Sequence, residues 1–148
     1  MKDEILARNP GFENEFRELV SLDGIRYFYH ITNKSGDDIC EEGLYLVEKR
    51  LLSTTIEIPK EFIDNPIDYC LQENGENYRK NPNIVLLGIP KEEIDYAITK
   101  NYNKPKNWDK DEPPLYIIPT NYIIGYINKD FEIIINEQYE FLNEHYLN

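Results

Sequence analysis

The chain predicts an α+β fold: a mixed, largely antiparallel and split sheet with short helices around it. Three observations lead there. An apolar stripe at helical spacing lies near the start, a cleanly alternating strand follows it, and the last third holds strands joined by short turns rather than by helices. The 148 residues are enough for a sizeable core and read most simply as one domain over 1–148. No internal repeat, linker or low-complexity segment divides them.

Asn9-Pro10 reads as an N-cap and first helical residue, opening a helix through about Val20. Phe12, Phe16, Leu19 and Val20 fall on one stripe of it. Asp23-Gly24 is a turn, and residues 25–32 are a half-buried strand. Ile25, Tyr27, Tyr29 and Ile31 point one way, while Arg26, Phe28, His30 and Thr32 point the other. Ser35 stands where an N-cap belongs, Asp38 takes the capping-box position, and Gly43 is placed to end a short helix.

Residues 50–56 read as a second strand, with Ser53 and Thr55 on one face and Thr54 on the other. A helix starts at Pro59, and Asn65-Pro66 restarts or kinks it; Ile67, Cys70 and Leu71 then give i, i+3, i+4 packing. Residues 72–82 are a polar loop. The continuous apolar run 84–89 suits a central strand buried on both faces, and 90–97 a short helix. Residues 101–114 form the longest irregular stretch and hold Trp108, the single tryptophan, read either as a ligand contact or as a cap over the core. Strands at 115–118 and 122–127 precede a turn at 128–130 and a hairpin partner at 131–135. Asn136 then caps a final helix with Tyr139, Leu142 and Tyr146 on one face.

The formal charge of −12 is the strongest global property. Such a chain repels phosphate backbones and anionic headgroups, so neither nucleic acid nor membrane is an expected partner. A small molecule, or a protein with a basic surface, is. The lysines are scattered, and only Lys100, Lys104, Lys106 and Lys110 form a loose basic stretch. No apolar run approaches the ~20 residues of a membrane span, and the opening residues 1–5 lack the apolar centre of a cleaved signal peptide. Cys40 and Cys70 sit among apolar neighbours in helical stretches, which reads as buried thiols in a cytoplasmic protein, with a disulfide left open. Two histidines far apart and no paired cysteines leave no metal-ligand pattern.

His30 and Thr32 share a strand face, and the short helix behind them makes a floor for a small-molecule site. Taken alone, His30 is equally a hydrogen-bonded structural residue, and Ser53-Thr54-Thr55 a β-favouring solvent face. A nucleophilic pair of Ser53 and His30 lacks the Gly-x-Ser-x-Gly elbow. The glycines form no phosphate-binding loop.

Tyr29-His30-Ile31-Thr32, followed by Ile39 and Glu42-Gly43-Leu44, resembles the opening of the ADP-ribosyltransferase superfamily, in the branch whose first signature residue is histidine. Ser53-Thr54-Thr55 resembles the Ser-Thr-Ser second motif of another branch; the histidine branch carries a tyrosine there. The resemblance implies a split two-sheet core with NAD as substrate, His30 on the adenosine ribose, Thr32 lining the pocket, and Ser53 and Thr54 beside them. It also implies a carboxylate that stabilises the oxocarbenium-like carbon as nicotinamide leaves. Glu112, just ahead of the strand where the third motif falls, is the candidate acid. Pro113, Pro114 and Leu115 occupy the ground of the family's glutamate; with Leu115 as the equivalent position, the chain binds without catalysis. The function expected is therefore that of an NAD-binding ADP-ribosyltransferase-like protein, which transfers ADP-ribose to a protein or small-molecule acceptor or cleaves NAD. The alternatives are a small acidic interaction protein of the immunity or inhibitor type, and an inactive transferase fold kept as a binding module.

Overall fold

The structure is a computed structural model that describes residues 1–74, 83–106, 108 and 111–142. Strands β1 (Ile25–Thr32), β3 (Ile56–Glu57), β4 (Asn83–Pro90), β7 (Ile123–Ile127) and β8 (Ile133–Ile135) form one sheet in the order β3-β1-β4-β7-β8. Strands β2 (Leu44–Leu46), β5 (Thr99–Lys100) and β6 (Tyr116–Ile118) form a second in the order β2-β6-β5. Every pairing within the two sheets is antiparallel. The α+β class expected from the sequence is what the chain adopts.

Alternation along two strands builds the layers. Tyr27 and Tyr29 of β1, with Ile84 and Leu86 of β4, face helices α1 (Lys2–Arg8), α2 (Phe12–Leu19), α4 (Lys60–Asp64) and α5 (Pro66–Asn74). Phe28 of β1, with Val85, Leu87 and Ile89 of β4, faces the smaller sheet and helix α3 (Gly36–Glu42). Strand β4 is thus buried on both faces, as its unbroken apolar run requires. The helical side is an aromatic stack: Phe16 lies 4.5 Å from Phe62, Phe62 lies 4.5 Å from Tyr69, and Tyr29 meets Phe62 edge-on at 5.3 Å. The Tyr29 and Tyr69 hydroxyls pair at 2.8 Å, which satisfies both inside this apolar layer.

Strand β7 breaks the alternation. Its pairing with β4 shifts register between Leu86 and Leu87. As a result Ile124 enters the helical-side core while Tyr126 packs on the opposite side. A bulge of this kind re-aims a side chain. The residue re-aimed here is Ile124; Tyr126, in register opposite Val85, reaches α3, where its hydroxyl donates to Asp37 Oδ1 at 2.8 Å and its ring lies under Gly36.

Three expectations need correction locally. The helix expected through about Val20 forms, as α2, but Asn9-Pro10 does not open it: Asn9 closes α1 through its N–H to Ile5 O at 2.8 Å, and α2 starts only after Gly11. The buried Ile5, with Leu6 beside it and a Lys2–Asp68 pair at 2.8 Å, anchors α1 by tertiary contact, and a seven-residue helix is too short a stretch for its period to be read. Residues 50–56 are not a strand either: Leu51–Ser53 is one 3-10 turn, and only Ile56–Glu57 pairs with β1. Ser53 Oγ donates to Arg50 O at 2.7 Å and Thr55 Oγ1 to Leu51 O at 2.6 Å, local bonds that displace the ladder. Asn136 caps no helix over 137–142. Its buried amide donates to Thr120 O and Ile123 O, both at 2.9 Å, and so ties the chain after β8 to the start of β7.

Residues 75–82 of the expected polar loop, Lys110 and Tyr146 lie outside the described residues. Cys40 and Cys70 are both free and belong to opposite sides of the large sheet, so the disulfide left open by the sequence does not join them. Among the described residues no helix is long and apolar enough to cross a membrane.

Candidate functional site: a cleft where the two sheets part

The end of β1 opens onto a cleft of about 400 Å³ between the sheets. Small-molecule sites typically span ~300–1,000 Å³. His30, Thr32 and Thr54 line one side, and Lys34, Tyr45, Val47 and Trp108 the other. The face that begins with Phe28 in the core therefore ends in this opening, because β2 and β6 cover only part of it.

Each wall is held by local bonds. Thr32 is 7% exposed, and its Oγ1 accepts the Lys34 N–H at 3.1 Å. Asn83, its partner across β1 and β4, donates from Nδ2 to Lys34 O at 2.7 Å. The turn into α3 is pinned at both its amide and its carbonyl. Ser35 Oγ then accepts the Asp38 N–H at 3.2 Å, the N-cap expected from the sequence. Gly43 ends α3 at φ 108°; a Cβ there would lie 2.8 Å from Ile118 O, so this close approach of α3 to β6 needs glycine.

His30 is mostly buried, and its Nδ1 lies 2.7 Å from Thr54 O. A carbonyl only accepts, so Nδ1 carries the proton and, in the neutral ring, Nε2 is an acceptor. Burial holds the His30 pKa below its ordinary value, opposed by the bond to Thr54 and reinforced by the nearby Lys34 charge. Beside it, Thr54 Oγ1 is buried with no hydrogen-bond partner among the described residues. An acceptor nitrogen thus stands at the cleft floor, with an unsatisfied hydroxyl buried beside it. A ligand hydroxyl can donate to that nitrogen.

The opposite wall is aromatic. Trp108 comes from the long loop; its Nε1–H donates to Glu112 O at 2.8 Å, and its ring lies 6.4 Å from Tyr45. The Lys34 ammonium stands 4.3 Å from the Trp108 ring centre. Lys34 is the one lysine or arginine among the described lining residues. An exposed, long contact between Lys106 and Glu41 at 4.0 Å links the same loop to α3 and adds little.

The sequence-derived candidates divide accordingly. His30, Thr32 and Thr54 come together on the floor. Ser53 does not: it is exposed, bonded to Arg50 O, and outside the lining. Glu112 is exposed as well, and what it presents to the cleft wall is its backbone carbonyl, through Trp108. The main cleft has no carboxylate among its described lining residues. Lys34 and Tyr45 escaped the sequence reading. The signal available for Tyr45 was alternation, as the one outward residue of the Leu44-Tyr45-Leu46 strand. Among the described residues no group of three or more His, Cys, Asp or Glu side chains is placed to hold a metal ion.

Such a site can hold a ligand that offers a hydroxyl to His30, a flat ring to Trp108 or Tyr45, and negative charge to Lys34. Comparison with family models, with curated proteins and with solved structures yields no match to this chain.

Proposed function

We propose that the chain is an ADP-ribosyltransferase-like protein that binds NAD in this cleft. The observation that carries the reading is the His30 acceptor nitrogen on the cleft floor, with Thr32 and Thr54 beside it in the lining. Those groups suit the hydroxyls of a ribose. Lys34 suits a phosphate, and the Tyr45 and Trp108 rings suit a base. The residues present therefore fit parts of a dinucleotide, and NAD supplies the reactive N-glycosidic bond. On this reading the protein transfers ADP-ribose to a protein or small-molecule acceptor or cleaves NAD, with Glu112, on the Trp108 loop, as the candidate acid.

One observation favours a second reading, a transferase-like fold kept for binding. Cleavage needs a carboxylate at the developing positive charge, and Glu112 is exposed outside the cleft lining.

Titration with NAD, followed by calorimetry and by emission of the single Trp108, tests the proposal. Saturable binding is expected, weakened in His30→Ala by about 1–3 kcal/mol, the scale of a lost buried hydrogen bond. Absence of binding to the wild-type protein removes the proposal and leaves the acidic interaction protein. Nicotinamide release then separates the two readings. An active protein loses at least about tenfold in Glu112→Gln, or ~1.4 kcal/mol of barrier, at unchanged NAD affinity. A binding module releases none.

A further inference from the structure

A smaller cavity of about 30 Å³ adjoins the cleft, lined by Asp38 and Glu42 of α3, by Tyr45 and Trp108, and by Lys34. A water needs ~10–15 Å³ measured this way. The space therefore suits a head group the size of one or two waters rather than a ring. Glu42 is half-buried, and its carboxylate makes no hydrogen bond or ion pair among the described residues. Its charge is felt at Tyr45, whose pKa rises through burial first and Glu42 second. The indole of Trp108 already carries an ammonium, that of the chain's own Lys34 at 4.3 Å.

We infer that this corner is a recognition site for an alkylammonium head group, presented by a lysine side chain of a partner protein with a basic surface. The aromatic faces attract a cation through their quadrupoles, and Glu42 supplies the counter-charge close by. Lys34 is the internal occupant of the same chemistry, holding the Trp108 face until another ammonium takes it. The formal charge of −12 favours approach of such a partner over long range. The site stands on its own geometry and needs no bound NAD; it gives chemical form to the protein partner and shares Lys34, Ile39, Gly43, Tyr45 and Trp108 with the cleft, while Asp38 and Glu42 belong to it alone.

The probe is Nα-acetyl-lysine methylamide, with Nα-acetyl-norleucine methylamide as the uncharged control, read by Trp108 emission and by calorimetry. A saturable response to the lysine probe alone is expected. Glu42→Gln should weaken it by about tenfold, the scale of a lost bond to a charged group. Lys34→Met, which removes the internal competitor, should strengthen it severalfold while weakening NAD if NAD binds. An equal response to norleucine, no response to either probe, or an unmoved affinity in Glu42→Gln overturns the inference. Glu42 is outside the main cleft lining, so NAD binding that persists in Glu42→Gln keeps the two proposals separate, and lysine binding without NAD binding removes only the former.

Discussion

Phe28 and Tyr29 are neighbours in β1, and both are buried, yet the faces they begin differ in kind. Tyr29 enters a stack of Phe16, Phe62 and Tyr69 that α2, α4 and α5 cover, with its hydroxyl paired to that of Tyr69. Phe28 enters an aliphatic layer under the smaller sheet, and two residues later the same face reaches His30 at the edge of an open cleft. The strands of the smaller sheet are short, two or three residues each, and cannot cover an eight-residue strand. Incomplete cover on one side of a sheet is what leaves room for a ligand. Packing on the other side supplies the stability that lets the cleft keep an unsatisfied hydroxyl.

The sharpest way to break this comparison is to damage the closed face. Phe62→Ala removes the ring that touches Phe16, Tyr29 and Tyr69 and should cost about 3–5 kcal/mol, read as a lowered denaturant midpoint. Whatever remains folded should keep the cleft's ligand affinity. A change in affinity larger than the change in folded fraction would mean that the two faces are coupled.

Gly36→Ala strikes the joint between α3 and the sheet. A Cβ there would lie 2.5 Å from the Tyr126 ring, so the helix or the ring must move. Destabilisation of about 1–3 kcal/mol is expected. Because α3 carries wall residues, a shifted Trp108 emission should accompany it. Unchanged emission would show that the cleft does not depend on this seat.

A gentler probe of the open face is pH. His30 has a folded pKa below its unfolded value of ~6.5, so the unfolded chain takes up the proton first. Stability from this group is complete above that value and is lost as pH falls towards the folded pKa. Binding should weaken across the same window, since protonated Nε2 donates instead of accepting. Chemical denaturation at a series of pH values, wild type against His30→Gln, should show the slope only with the histidine.

The smallest effect belongs to the β1–β3 edge, where Arg26 meets Glu57 through two bonds of 2.8 and 2.9 Å. Arg26 holds the Glu57 carboxyl below the usual range, but both side chains are well exposed. Glu57→Gln should therefore cost no more than about 1 kcal/mol, less at high salt. A larger loss in thermal melts would mean that this edge supports the Thr54 carbonyl, and with it His30.

Much of this was legible in the chain. Period-two alternation identified β1 and its two faces, the unbroken apolar run identified β4 as central, and Ser35 and Gly43 marked the ends of α3. Those are local signals, carried by hydrophobic period, capping and backbone freedom within a few residues of each other. His30 and Thr32 could be set on one face on the same grounds, whereas Thr54 was set beside them through the resemblance of Ser53-Thr54-Thr55 to a family motif. Ser53 was misplaced because hydroxyl-to-backbone bonds compete with a ladder, and sequence does not show which of the two prevails.

What only the tertiary structure decided lies at longer range. Tyr45 and Trp108 are 63 positions apart, and Lys34 lies 74 from Trp108, yet the three form one wall. The β7 bulge turns Ile124 into the helical-side core, while Tyr126 two residues on faces α3. Neither follows from spacing, since a bulge is one residue of slippage and a loop aromatic can land on any surface within its reach. The identity and alternation of residues determined which faces are apolar. Which of those faces is closed and which is left open depends on how far the covering elements extend, a property of the assembled sheets and helices that no single stretch carries.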